Sequence, residues 1–163
     1  MVLETRIRTL HFLGYVSGVD FNVERNGDWF HTDPEPTDAY LLTQELAALK
    51  WQKKNEISVK RKEVMDGGMV FVGQLVSTDI SSRDALTGAV EHTRGKGGET
   101  RNWRASDGTK VVLTGVQLKA LHDAVGDHVQ ASYDRQFDLD DLIDVAVDEA
   151  AIAAIDIESG WPT

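Results

Sequence analysis

Cysteine is absent from this sequence, which excludes disulfide bonds and thiolate metal sites. Proline occurs only 3 times, and Pro34 and Pro36 lie close together. Long apolar runs are also missing, so no membrane insertion is expected. The N-terminus has no basic region followed by an apolar stretch, which favours synthesis in a cytoplasm over secretion.

Positive charge is scarce in the last third of the chain. The net charge is −10, and residues 114–163 carry −9 of it, with eleven acidic residues against two basic ones. An acidic surface repels phosphate-rich partners, so no nucleic-acid partner is expected. With 41% apolar and 27% charged residues, the composition is typical of a globular protein.

Motifs for catalysis or metal binding are missing as well. The five histidines (His11, His31, His92, His122 and His128) show no spacing typical of metal ligands. The acidic residues 138–144 lack the glycine and terminal glutamate of a calcium loop, and they predict a helix start instead. The sequence therefore predicts no cofactor, no metal and no enzyme activity.

The N-terminal segment has the pattern of short strands. Residues 4–13 alternate, which favours a strand, and Asn26-Gly27 predicts a hairpin that joins Phe21–Arg25 to Asp28–His31. Aromatic residues are dense here, and they suit either the packed face of a small sheet or a surface that docks another protein. The candidate protein-contact residues are Tyr15, Phe21, Trp29 and Phe30.

A long helix is predicted after the two prolines. Thr37 suits an N-cap, and residues 38–64 contain no glycine or proline. Such a helix is about 40 Å long at 1.5 Å per residue, so it either protrudes or packs on another chain. We expect a homo-oligomer, with a trimer as one arrangement. The basic residues in its middle suit either nucleic-acid contact or, as we prefer, balance of the acidic C-terminal half.

Turn and capping signals divide residues 66–113 into short elements. The glycine pair 67–68 predicts a turn that lets the strand 69–76 fold back. Ser77-Thr78-Asp79 caps a helix that begins at Ile80. Two strands, 102–105 and 110–113, are predicted after this helix.

Helices are predicted for the rest of the chain. Thr114 and Gln117 match a capping box, which predicts one amphipathic helix. A second helix is predicted to begin near Asp138, and a last short one follows. The candidate structural core residues of the chain from residue 102 onward are Trp103, Leu121, Leu142, Ile143 and Trp161.

These patterns predict an α+β fold. It has a β-rich N-terminal segment, a long central helix, and a small mixed domain of β-hairpins and three to four helices. The predicted divisions are a β-rich docking segment (1–35), a long helix (36–65) and an α+β domain (66–163).

Several short motifs, taken in order, resemble a known family. They are Gly68 with the strand 69–73, Ser77-Thr78-Asp79-Ile80-Ser81-Ser82-Arg83, Asn102-Trp103, Asp107-Gly108, Leu113-Thr114 and the terminal Gly160-Trp161-Pro162. Residues 36–163 are similar to a domain of unknown function that recurs in tail, tail-fibre and tail-fibre-assembly proteins of tailed bacteriophages. The resemblance brings no catalytic residues with it.

The resemblance implies a structural protein of the tail-fibre or baseplate region, which acts through protein contacts. Its partners would be other phage tail proteins, and its place would be the virion tail, or the host cytoplasm during assembly. One alternative is a tail-fibre assembly chaperone that is absent from the mature virion. A further alternative is a module that binds glycans or a receptor.

Overall fold

Helices dominate the computed structural model, which describes residues 3–13, 21–23, 29–31, 37–96 and 98–163. The helices are α1 (Leu3–Phe12), α2 (Asp38–Asp66), α3 (Ile80–Thr93), α4 (Gly115–Val145) and α5 (Glu149–Ala153). The strands are β1 (Phe21–Val23), β2 (Trp29–His31), β3 (Met69–Phe71), β4 (Gln74–Val76), β5 (Thr100–Arg104) and β6 (Lys110–Thr114). None of the helices in these ranges has the length and apolar character needed to cross a membrane.

Within the described ranges, each strand pairs with its neighbour in sequence, which gives three two-stranded antiparallel sheets. The predicted hairpin between residues 102 and 113 is present as β5 and β6, with Trp103 opposite Val111. Its loop is held by the Thr109 amide, which donates to Asp107 Oδ1 at 2.8 Å. Gly108 has a φ of 86°, a conformation that glycine adopts without steric cost.

The prediction of a β-rich N-terminal segment is wrong, because residues 3–12 form helix α1. Tertiary packing overrides the alternating pattern: Leu10 is fully buried in a cluster with Leu41 of α2. Thr9 is also fully buried, and its hydroxyl donates to the Thr5 carbonyl at 2.8 Å. A threonine in a helix can bury its hydroxyl in this way, since the carbonyl four residues earlier accepts its proton.

The predicted N-terminal hairpin is present, but it is short. β1 and β2 pair over three residues each, with Phe21 opposite His31 and Val23 opposite Trp29. The turn predicted at Asn26-Gly27 lies outside the described residues. Six paired residues beside a ten-residue helix do not make this segment β-rich.

The long helix predicted after the prolines is α2. Thr37 caps it, because the Tyr40 amide donates to Thr37 Oγ1 at 3.3 Å. Leu41 and Ile57 of α2 are fully buried, whereas Leu42 is 51% exposed.

The chain divides into two compact units, and the division falls within α2 and α4. The first unit comprises Met1–Ile57 and Leu139–Asp156. The second comprises Ser58–Asp138 and Ile157–Thr163. Each unit thus joins an earlier part of the chain to a later one.

In the first unit, basic residues of α2 contact an acidic residue of α4. Lys54 Nζ lies 2.8 Å from both carboxylate oxygens of Asp144, and Lys50 Nζ donates to the Asp144 carbonyl at 2.8 Å. A cation at a helix C-terminus also interacts favourably with the last carbonyl groups. These contacts agree with the prediction that the basic run balances the acidic C-terminal half.

The second unit has the larger apolar cluster. Its buried members are Val76, Leu86, Leu113, Leu118, Leu121 and Val125, and Trp103 packs against them. The ε-ammonium of Lys60 pairs with Glu158, which again joins a base of α2 to an acid near the C-terminus. The Arg61 guanidinium lies 4.3 Å from the centre of the Tyr133 ring, a cation–π contact.

Helix α4 runs unbroken from residue 115 to 145, so the prediction of a second helix that begins near Asp138 is wrong. The capping box at its start is confirmed: the Thr114 amide donates to Gln117 Oε1 at 2.9 Å, and the Gln117 amide donates to Thr114 Oγ1 at 3.3 Å. The helix continues because one buried stripe extends along it. That stripe consists of Leu118, Leu121, Val125, His128, Ser132, Leu139 and Ile143.

Candidate functional site

The prediction of a single strand over 69–76 is wrong, because β3 and β4 form a hairpin that turns through a two-residue loop, Val72-Gly73. Phe71 lies opposite Gln74, and the two loop residues have φ of 50° and 76°. Positive φ at both central positions defines a type I′ turn, whose twist suits a hairpin and which favours asparagine or glycine. Valine is β-branched, so the left-handed conformation strains Val72. Such strain is found preferentially at functional sites.

Apolar side chains are exposed around this loop. Val70, Val72 and Leu75, which we call the hairpin tip, are 62%, 86% and 49% exposed. Val70 and Leu75 lie opposite each other in the register, so they share one face of the hairpin. Met69 and Phe71 alternate with Val70 and pack against the core cluster. The hairpin therefore has one face on the core and an apolar face in solvent.

Gly68 holds the base of the hairpin against the loop after β4. Its amide donates to Thr78 Oγ1 at 2.9 Å, and Thr78 is fully buried. Gly68 has a φ of 96°, and a Cβ at this position would lie 2.8 Å from the Val76 carbonyl oxygen. Only glycine fits this conformation and this close approach.

Asp79 caps helix α3 directly after Thr78. Its carboxylate accepts hydrogen bonds from the hydroxyls of Ser77, Ser81 and Ser82 and from the Ser82 amide. These bonds, the one from Ser77 above all, hold the pKa of Asp79 well below its ordinary value because they stabilise the ionised form. The Ser77-Thr78-Asp79 sequence thus ties the start of α3 to the hairpin.

Two further contacts hold the hairpin in place. The Ser106 amide donates to the Leu75 carbonyl at 2.9 Å, which joins the β5–β6 loop to β4. Arg83 of α3 lies 3.4 Å from the Asp66 carboxylate at the end of α2, and both side chains are about three-quarters buried. The hairpin tip is therefore presented on a base that is fixed on several sides.

The tip suits binding better than chemistry. Its side chains are apolar. The nearby Asp79 carboxylate already accepts hydrogen bonds from four donors. In the part of the chain that the structure describes, no group of three or more His, Asp or Glu side chains could hold a metal ion. Clustered exposed apolar residues typically mark a protein contact.

Relief of the strain at Val72 should stabilise the protein. Because asparagine tolerates positive φ, Val72→Asn is expected to raise the free energy of unfolding by about 0.5–1 kcal/mol. Urea denaturation measures this change. Val70→Asn, at a neighbouring exposed position without positive φ, is the control and should give no such gain. A Val72→Asn variant no more stable than the wild type would contradict the assignment of strain.

Asp79 should make the stability of the protein depend on pH. Because the pKa of Asp79 is lowered, its ionised carboxylate stabilises the folded state at pH values above the ordinary aspartate pKa of about 4. That stabilisation is lost as the pH falls below this value and through the folded-state pKa. The stability difference between wild type and Asp79→Asn should therefore be constant from about pH 5 to 7 and shrink below about pH 4.

Urea denaturation at each pH measures this difference. Asp84→Asn is the matched control, because Asp84 is an exposed carboxylate on the same helix. A stability difference for Asp79→Asn that stays flat into the acid range would show that the serine hydroxyls do not hold the carboxylate ionised.

The structure places the predicted contact residues only in part. Tyr15 lies outside the described residues, while Phe21, Trp29 and Phe30 lie on the paired backbones of β1 and β2. Their side chains are not described, so the docking surface predicted for them stays a prediction.

The predicted core residues occupy different environments. Leu121 and Ile143 are buried, and Trp103 packs against the core cluster of the second unit. Trp161 is half-buried, and its indole N–H donates to the Ile157 carbonyl at 2.8 Å. Leu142, which is predicted in the core, is 51% exposed. Adjacent residues of an α-helix point about 100° apart, so burial of Ile143 directs Leu142 toward solvent.

Sequence reasoning missed the hairpin tip as a candidate site. The sequence shows only that Val70 and Leu75 alternate with Met69, Phe71 and Val76 and so lie on the opposite face of the hairpin. Both faces of the hairpin are apolar, so alternation could not say which face lies in solvent.

Comparison with known proteins identifies the family of this chain. A family model described as a domain of unknown function, DUF4376, matches residues 48–159. No curated protein and no solved structure matches the chain. The matched range contains Gly68, Thr78, Asp79 and the whole hairpin. The chain therefore belongs to the DUF4376 family.

Proposed function

We propose that this protein is a structural component of a bacteriophage tail, in the tail-fibre or baseplate region, which acts through protein contacts and not through catalysis. The ordered motifs that resemble phage tail proteins motivate the phage assignment. The exposed apolar hairpin tip supports the contact role and is the observation that carries it.

The hairpin tip is the part of the second unit that we propose to bind a neighbouring tail protein. Val70, Val72 and Leu75 expose apolar surface on one short hairpin. The base of that hairpin is fixed by the Gly68–Thr78 hydrogen bond. A rigid apolar projection loses little conformational freedom when it is bound, and this favours affinity. The proposed partner is another phage tail protein, and the proposed assembly includes self-association of this chain, with a trimer as one arrangement.

Mass spectrometry of purified virions tests the proposal. For a phage that encodes this chain, we expect the protein to be present in the particle in a fixed ratio to the tail proteins. Its absence from the particle would overturn the structural role. If a co-expressed tail fibre became more soluble while the protein stayed out of the virion, the assembly-chaperone alternative would replace it.

Substitution of the hairpin tip tests the contact. Val70→Ser and Leu75→Ser together should lower the amount of the protein in virions without unfolding it. Val112→Ser is the matched control, because Val112 is 54% exposed on the other hairpin of the same unit. Equal incorporation of the tip variant and the control would show that the tip is not the contact.

A further inference from the structure

Two adjoining cavities lie in the first unit. The larger has a volume of about 400 Å³ and is lined by Glu4, Ile7, Arg8 and His11 of α1 and by Trp51 and Gln52 of α2. The α1 residues recur at helical spacing, so they form one face of that helix. The smaller cavity, of about 150 Å³, shares Arg8 and Gln52 with the larger one. Together they form a groove, which we call the Trp51 groove.

Trp51 supplies an aromatic surface in this groove. It is 42% exposed, and its ring meets Phe12 edge-on, with centroids 6.3 Å apart and an interplanar angle of 62°. The contact with Phe12 fixes the indole while part of it faces the groove. A large aromatic face that is held rigid offers apolar contact at little entropic cost. The apolar C–H face of a sugar ring is a ligand that stacks on such a surface.

Two polar side chains beside Trp51 have unused hydrogen-bonding capacity. Neither the Glu4 carboxylate nor the Arg8 guanidinium makes a hydrogen bond or ion pair with another residue in the described ranges. The Arg8 guanidinium carries N–H donors in a planar fork, and the Glu4 carboxylate only accepts. Adjacent hydroxyl groups both donate and accept, so they can bind a guanidinium and a carboxylate that lie on one helix face.

The charges of the groove disfavour a strongly charged ligand. Its cations are Arg8 and Lys53, and its carboxylates are Glu4, Glu56 and Glu149. Lys53 already pairs with Glu56 at 3.4 Å, and the Gln52 amide donates to Glu56 at 3.2 Å. An anion would meet the carboxylates and a cation would meet Arg8. A neutral, hydroxyl-rich molecule avoids both repulsions, and the larger cavity is within the size range of small-ligand sites.

We propose that the Trp51 groove binds a neutral saccharide, with one sugar ring stacked on Trp51 and its hydroxyls hydrogen-bonded to Arg8 and Glu4. This site lies in the first unit, whereas the hairpin tip lies in the second, so the two proposals stand or fall separately.

Saturation-transfer NMR on the full chain tests the saccharide site. The probes are methyl β-glucopyranoside, methyl β-galactopyranoside and N-acetylglucosamine. At least one should receive saturation at its ring protons, with the largest effect on one face of the ring. Trp51→Ala and Arg8→Gln should each weaken its binding by about tenfold or more, which corresponds to loss of about 1.4 kcal/mol.

Tyr40→Ala is the matched control, because Tyr40 is a half-exposed aromatic residue on the same helix and does not line the larger cavity. The Tyr40→Ala variant should bind the sugar with the same affinity as the wild type. The proposal is overturned if none of the three sugars receives saturation, or if a folded Trp51→Ala variant binds as well as the wild type. If circular dichroism shows that Trp51→Ala is unfolded, then Arg8→Gln decides, and unchanged affinity in that variant overturns the site.

Discussion

Replacement of Ile143 by alanine is expected to lower the free energy of unfolding by about 2–5 kcal/mol. Ile143 is fully buried on α4, in the first unit. Truncation removes apolar contacts and leaves a cavity, because the surrounding side chains relax only in part. Urea denaturation measures the change as a lower transition midpoint.

The adjacent residue gives a matched control. Leu142 is 51% exposed, so Leu142→Ala should change stability by no more than about 0.5 kcal/mol. The two substitutions differ by one position on the helix and remove side chains of the same size. Similar effects for both would contradict the burial of Ile143 and the exposure of Leu142 on α4.

Replacement of Gly68 by alanine is expected to lower stability by more than about 2 kcal/mol. The alanine Cβ would lie 2.8 Å from the Val76 carbonyl oxygen, a backbone atom that moves only if the hairpin moves. The positive φ of 96° adds its own cost for any residue with a side chain. A shift of the backbone would also weaken the hydrogen bond from the Gly68 amide to Thr78.

Gly73→Ala separates the cost of the close contact from the conformational cost of a positive φ. Gly73 also has a positive φ, of 76°, but a Cβ there would meet nothing within 4 Å. It should therefore cost only about 1 kcal/mol, the conformational part of the penalty. Both variants are compared by urea denaturation. If Gly68→Ala lowered the free energy of unfolding no more than Gly73→Ala, the close approach of Gly68 to Val76 would not limit which residue fits there.

Several residues at the base of the hairpin, all within the range that matches the DUF4376 family, have structural roles. Gly68 lies close to the Val76 carbonyl oxygen, and the Thr78 hydroxyl oxygen accepts a hydrogen bond from the Gly68 amide. Asp79 caps α3, and Arg83 pairs with Asp66. These contacts hold the base of the hairpin in place.

Local chemistry made several elements predictable. Thr37 caps α2, Asp79 caps α3, and Thr114 and Gln117 cap α4 as expected from sequence. The β5–β6 hairpin follows from Asp107-Gly108 in the same way. Each signal acts between residues no more than four positions apart, so it is written in a short stretch of sequence.

Tertiary contacts decided the remaining features. Helix α1 has an alternating sequence, but burial of Leu10 with Leu41, which lies far along the chain, favours the helix. The acidic residues near Asp138 resemble a helix start, yet the buried stripe from Leu118 to Ile143 keeps α4 continuous. In both cases, apolar burial outweighs a local conformational preference, which amounts to only a few tenths of a kcal/mol per residue.

The two candidate sites were likewise predictable from sequence only in part. The sequence by itself determined that a glycine turn at 67–68 is followed by extended chain and by a helix that Asp79 caps, because these residues act on adjacent backbone groups. Only the tertiary structure decided that Val70 and Leu75 face solvent, and that Glu4 and Arg8 of α1 share a groove with Trp51 of α2. Exposure and proximity depend on which distant surfaces pack together, and a pattern confined to one segment does not contain that information.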